Sequence, residues 1–186
     1  MSFMNPTLYF LRSSEQKIAT DMLRYAARLD EVGKTLDEIP ELAIYERHYG
    51  LTHKDLGLYA LAGHELVGAA WIRLFAERDG ANAFVDETTP VLTVGVKPQF
   101  RSRGIGSAML EQLLLEAGAL YEQISVSVLE DSHAVPFYEK FGFTRLEGSQ
   151  KSSPVDGQIA ITLLKQLQRQ TVQRPSEGYD PTYWMD

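Results

Sequence analysis

The sequence predicts an α/β domain, a mixed sheet of about seven strands with helices on its faces. Three observations predict it. Residues 124–128 (ISVSV) alternate apolar and polar as a strand does, while residues 14–30 and 104–118 repeat their apolar positions at helical spacing. Gly63-His64 separates two apolar runs, 57–62 and 65–74, as a glycine-first hairpin turn. Strand and helix signals interleave along the chain instead of segregating. With 186 residues, 44% of them hydrophobic and 23% charged, the chain reads as one soluble domain able to bury a core without staples.

Taken in order, residues 8–11 (LYFL) form a first strand. Ser13, followed three places on by Gln16, offers a capping box for helix 14–30, whose stripe is Ile18, Met22, Tyr25, Ala26 and Leu29. A shorter helix over 38–49 fits only with Pro40 in its first turn. The hairpin follows, then a polar loop over 77–89. Residues 91–96 (VLTVGV) make a strand in which Gly95 marks a bulge or a close backbone approach. Leu110, Leu113, Leu114 and Ala117 stripe the helix at 104–118. After strand 124–128, Asp131 or Ser132 caps a short helix with Pro136 in its first turn and Gly142 as its left-handed terminator. Residues 143–146 and 159–164 are the last two strands, joined by a polar loop.

Charge narrows the partners. The formal net charge of −7 argues against general nucleic-acid binding, which needs clustered positive charge. There is no cysteine, which excludes a disulfide framework and a thiolate zinc site, and His48 and His53 have no metal-like context, so no metal is expected. MSFMNPTLYF does not read as a signal peptide, and no apolar run nears the roughly 20 residues that cross a bilayer. A cytoplasmic location and no membrane partner are the expectation. Five acids lie between Asp30 and Glu41, and three between Pro175 and Asp186, and both runs read as solvated surface; the acids at 30–41 and in the 77–87 loop read alternatively as a field for a cationic amine.

Against this acidity, QFRSRGIGSAML (residues 99–110) places Arg101, Arg103, Gly104 and Gly106 directly before a helix. A helix N-terminus has unpartnered N–H groups and roughly half a positive charge. Glycines let that backbone approach a phosphate closely. The stretch is an anion cradle suited to a pyrophosphate, or a glycine turn with solvated arginines. It lacks the lysine and hydroxyl of a P-loop, and Met109 stands where a dinucleotide fingerprint needs its third glycine.

Two segments together decide between these readings. Residues 101–106 (RSRGIG) match the acetyl-CoA signature Gln/Arg-x-x-Gly-x-Gly/Ala, and Ala134, Tyr138, Gly142 and Phe143 match a second pattern, Ala-x-x-x-Tyr-x-x-x-Gly-Phe. Over residues 7–165 the chain thus resembles the GCN5-related N-acetyltransferase (GNAT) family. The resemblance implies a mostly antiparallel sheet in an acyl-CoA N-acyltransferase fold, with the transferase domain at 1–170 and an acidic aromatic tail at 171–186. It implies acetyl-CoA as co-substrate and a small-molecule or peptide amine as acceptor. The main chain of Arg101, Ser102, Arg103, Gly104, Ile105, Gly106 and Ser107 would hold the diphosphate. Val94 and Val96, exposed where the strand splays at Gly95, would pair with the pantetheine. Tyr138 matches the family's general acid, or is a core tyrosine.

The chain also departs from that pattern. Asp131 stands where the family often has an asparagine contacting the coenzyme, with Ser132 as a substitute. The preceding strand has Ser125 and Ser127 where some members carry a glutamate base. An amine of pKa about 10.4 is neutral only about once in 2,500 molecules at pH 7, a handicap of roughly 4–5 kcal/mol. Glu77, Asp86, Glu87 and Glu130 are the candidate bases, Glu130 being nearest in sequence. His64 and His133 read as solvated or capping. The tail packs on its own domain or a homodimer partner, or closes over the acceptor. A non-catalytic acyl-CoA sensor is the competing class.

Overall fold

The computed structural model describes residues 5–169; the tail at 171–186 lies outside the described residues. The elements run β1 (Thr7–Phe10), α1 (Gln16–Ala26), α2 (Leu29–Val32), β2 (Leu56–Ala62), β3 (Glu65–Arg73), β4 (Val91–Val96), α3 (Ile105–Ala117), β5 (Gln123–Leu129), α4 (Ala134–Lys140), β6 (Thr144–Arg145), β7 (Lys151–Ser152) and β8 (Ile159–Gln166). One sheet takes the order β1-β2-β3-β4-β5-β8-β6, with β7 also on β8. Every pairing is antiparallel except β4 with β5. The α/β architecture and its mostly antiparallel sheet are as the sequence predicts, with one extra short strand inside the polar loop.

Alternation on β3 divides the core into two layers. Ala69 and Trp71 pack with Met22, Leu23 and Leu29 of the α1–α2 side. Ala70 and Ile72 pack with Met109, Leu110 and Leu113 of α3 and with Tyr138 of α4. Each central strand thus buries both faces.

The first helical run differs from expectation. Helix 14–30 is instead two helices, broken where Arg28 turns left-handed (φ 58°). That turn lets Arg28 reach Asp156 at 3.2 Å and carries Asp30 and Glu31 toward Arg101. The capping box at Ser13 does not form, because residues 13–15 make a 3-10 turn and the Gln16 side chain donates to Glu46 at 3.0 Å. The predicted helix over 38–49 is a pair of 3-10 turns, Leu36–Glu38 and Pro40–Tyr45. Its carbonyls find tertiary donors: Trp71 Nε1 donates to Tyr45 (2.7 Å) and Arg73 Nη1 to Ile44 (2.9 Å) and Arg47 (2.6 Å). Those bonds replace the i→i−4 ladder that a regular helix requires.

Gly95 is a site of close approach and not a bulge. Its register with β3 is unbroken, and a Cβ there would lie 2.5 Å from the Met22 carbonyl oxygen and 3.1 Å from the Ala26 nitrogen. Glycine lets α1 rest directly on β4. Among the described residues no helix is long and apolar enough to cross a membrane. Gly95→Ala should therefore cost about 1–3 kcal/mol in urea unfolding, as overpacking does; an unchanged midpoint would show that α1 does not bear on this strand.

Candidate active site

The site begins where two strands separate. β4 stays with β3 along its whole length, and β5 stays with β8, but β4 and β5 pair only at Val91↔Ser125 and Leu92↔Val126. The Lys97 N–H donates to the Val67 carbonyl at 2.9 Å, which sets the phase of the β3–β4 ladder. In that phase alternate residues bond to β3, and Val94 and Val96 turn their main-chain groups into the gap. The Val96 carbonyl accepts from Arg101 Nε at 3.1 Å. Among the described residues the remaining edge has no partner strand.

At the end of β4 the chain makes a 3-10 turn (Pro98–Phe100) and then bends through two left-handed residues, Ser102 (φ 61°) and Gly104 (φ 85°). Gly104 is the N-cap of α3. The first intrahelical bond runs from the Ala108 N–H to the Gly104 carbonyl at 3.0 Å, so the amides of Ile105, Gly106 and Ser107 precede it and face outward. The Arg101 guanidinium is already paired, 3.1 Å from Glu31 and 3.6 Å from Asp30. Arg103 sits over the Phe100 ring at 5.9 Å.

A cavity of about 820 Å³ joins these parts. It is lined from both layers of the core: Leu23, Leu42 and Val155 belong to the α1–α2 side, Ile105 and Tyr138 to the α3–α4 side. It therefore passes through the sheet at the gap between β4 and β5. Of the residues singled out from the sequence, Val94, Val96, Arg101, Ser102, Gly104, Ile105, Gly106, Ser107, Ser132 and Tyr138 line it. Gly95, Arg103, Glu130 and Asp131 do not. Gly95 faces α1, Asp131 is exposed, and Glu130 lies 3.8 Å from Arg145. Ser132 takes the lining position beside Asp131, its Oγ accepting from the Ala134 N–H at 3.3 Å.

Tyr138 is held by local geometry. Gly142 (φ 93°) ends α4, and the Phe143 N–H returns to the Tyr138 carbonyl at 3.2 Å. The phenol ring meets Phe137 and Phe143 edge-on, at centroid distances of 5.1 and 5.3 Å. Burial in this aromatic wall pushes the phenol pKa up, so it stays protonated throughout the physiological range.

The other candidate bases do not reach the cavity. Asp86 caps its own turn, and the Thr88 and Thr89 hydroxyls, each at 2.8 Å, hold its carboxyl below the usual range. Glu77 and Glu87 are exposed and outside the lining. Exposed His133 lines the rim at the start of α4.

No motif marked the α1-side wall. It is built by Tyr25, Leu42, Tyr45, Asn82 and Pro154. Trp71 and Arg73 anchor the Tyr45 segment, and Arg73 in turn holds the largely buried Asp55 through Nε at 3.1 Å. The Tyr45 hydroxyl accepts from the Asn82 N–H at 2.9 Å; burial pushes this phenol up, and the bond draws it partly back. The β7–β8 loop is strapped to α1–α2 by Arg28–Asp156 and by Lys34 donating to the Val155 carbonyl. These wall residues come from four separate segments, Leu42 and Tyr45 sharing the Pro40–Tyr45 turn, so only the assembled fold brings them together.

Residues 54–145 match the family described as the Acetyltransferase (GNAT) domain. Solved structures share the fold across nearly their whole length. A GNAT-family acetyltransferase from Streptococcus pneumoniae superposes with a TM-score of 0.64 at 14% identity, over 88% of this chain and 99% of its own. The yncA protein of Salmonella typhimurium, solved with its cofactor acetyl-CoA, gives 0.62 at 18% identity, over 90% and 96%. A phosphinothricin acetyltransferase from Sinorhizobium meliloti, in complex with acetyl-CoA, gives 0.58 at 17% identity, over 96% and 97%. No curated protein matches by sequence. Residues 54–145 thus form a GNAT acetyltransferase domain.

The cradle makes a direct demand on residue 104. A β-branched side chain is strongly disfavoured at φ 85°, so Gly104→Val should abolish acetyl-CoA binding by calorimetry while far-ultraviolet circular dichroism stays the same. Retained binding would show that the α3 N-terminus does not hold the coenzyme.

Proposed function

We propose that the protein transfers the acetyl group of acetyl-CoA directly to a primary amine of a small molecule or peptide, within a ternary complex. One observation carries this reading: the free amides at the start of α3, the unpaired edge of β4 and the Tyr138 phenol all border one cavity that opens on both faces of the sheet. The residues present suit the coenzyme. The amides of Ile105, Gly106 and Ser107, at the positive end of α3, match a diphosphate. The main chain of Val94 and Val96 offers a strand edge to the pantetheine amides. An N–H on this edge directed at the thioester oxygen would stabilise the charge that develops there.

The acceptor then enters from the α1 face. Its nitrogen forms the new bond to the acetyl carbon as the carbon–sulfur bond breaks. The departing sulfur takes the Tyr138 proton, and the nitrogen loses its own. Burial makes Tyr138 a weaker acid than a free phenol, but the same surroundings disfavour a bare thiolate and so raise its proton affinity too. With no cysteine in the chain, a thiol-linked acyl-enzyme is not available. Tyr138→Phe should lower turnover by about 10²–10⁴-fold, the usual size of general acid catalysis, with acetyl-CoA affinity nearly unchanged. An undiminished rate would remove Tyr138 from the mechanism.

None of the expected carboxylate bases lines the cavity, so the amine arrives neutral or gives its proton to water. The pH dependence of kcat/KM should then follow the acceptor. Its inflection should move upward by about 2–3 units between an α-amino acceptor of pKa about 7.7–8.0 and an alkylamine of about 10.4. An inflection at one pH for both acceptors would reveal a titrating base on the enzyme.

A further inference from the structure

We infer that the acceptor is a single amine carried on an uncharged apolar or aromatic body, and not a polyamine, a basic peptide or an amino acid. This rests on the transferase reading above and concerns the α1-side half of the same cavity. That half is walled by Leu23, Tyr25, Leu42, Tyr45, Pro154 and Val155, with Asn82 as a neutral polar neighbour. The whole cavity, the part beside α3 included, is about 820 Å³, within the roughly 300–1,000 Å³ usual for small-molecule sites.

Charge accounting excludes the other classes. Among the described residues Glu31 is the only carboxylate in the lining, and it is engaged by Arg101 at 3.1 Å and by Arg28 at 3.4 Å. Asp156, beside the wall, is held by Arg28 at 3.2 Å and by the Gln158 N–H at 3.1 Å. A second ammonium would therefore be desolvated with no free counter-charge, which is costly. A carboxylate on the acceptor fares no better, because the Arg28 guanidinium already serves Glu31 and Asp156. Of the acids that the sequence offered as a field for cations, Asp30 and Glu31 hold Arg101, Glu38 caps its own 3-10 turn through the Thr35 N–H at 3.1 Å and Asp86 caps another, while Asp37, Glu41, Glu77 and Glu87 are exposed and outside the lining. The apolar wall also disfavours the ammonium form, which helps the attacking nitrogen lose its proton where no base stands ready.

The test is thiol release from acetyl-CoA by the full chain with 2-phenylethylamine, spermidine, glutamate and a lysine-containing basic peptide. The expected order places 2-phenylethylamine first by about tenfold or more in kcat/KM, in the range a matched apolar contact supplies. Spermidine, glutamate or the peptide equalling or exceeding it would overturn the inference. Asn82→Asp, which adds one uncommitted carboxylate to the wall, should raise the ratio of 1,5-diaminopentane to 2-phenylethylamine by about tenfold; an unchanged ratio would also count against it. Inactivity with every amine, while acetyl-CoA still binds, would be a different result, since it would defeat the transferase reading itself and this inference with it.

Discussion

The separation of β4 from β5 beyond Leu92 and Val126 is the constraint on which the rest of the site depends. Each strand keeps a complete antiparallel ladder on its other edge, to β3 and to β8 respectively, so the parting sacrifices only the parallel pairing between them. What it leaves is a strand edge with polar groups directed into a gap. Main-chain N–H and C=O groups must find partners wherever they are buried. A gap edged in this way is suited to an extended, amide-containing ligand. The same parting lets one cavity draw its lining from both core layers, so two reactants can approach a common point from opposite faces.

Two kinds of support hold the halves of that cavity. On the α3–α4 side the geometry is local: Gly104 starts one helix and Gly142 ends the other, both left-handed, and aromatic rings close around Tyr138. On the α1 side the support is a polar network across long sequence distances. The side chains of Trp71 and Arg73 satisfy carbonyls of the 44–47 segment, and Arg73 pairs with Asp55 at side-chain exposures of 15% and 6%. A pair this buried adds little net stability, but losing one partner typically costs 3–5 kcal/mol. Its value here is positional. It fixes a stretch of 3-10 turns that has too few bonds of its own, and with it Leu42 and Tyr45.

The electrostatics of the two halves differ in the same way. The α3 side offers partial charges of the main chain, which keep their orientation and need no titration. Arg101, the obvious cation, is balanced by Asp30 and Glu31 and serves to tie α2 to the end of β4 through the Val96 carbonyl. The α1 side is nearly neutral because its charges cancel in pairs. An excess of acid over base in the whole chain therefore does not become a negative field at the site.

Sequence patterns located whatever depends on residues a few positions apart. The cradle at 101–107 was legible because a glycine in the left-handed region and the free amides after it are a property of five or six consecutive residues. Tyr138 was legible because i to i+4 spacing and Gly142 define a short helix without outside help. Helix 38–49 was misread because its apolar spacing is helical, while donors from β3, some 25–30 residues away, capture its carbonyls. Ambiguity at Gly95 was also tertiary, since only the approach of α1 distinguishes contact from bulge. The sequence by itself marked the family resemblance, the glycine turn that opens α3 and the placement of the Tyr138 phenol, because short-range backbone geometry encodes them. Tertiary structure alone decided which acids are spent in ion pairs and which residues wall the α1 side of the cavity, because those depend on contacts among segments that no local period connects.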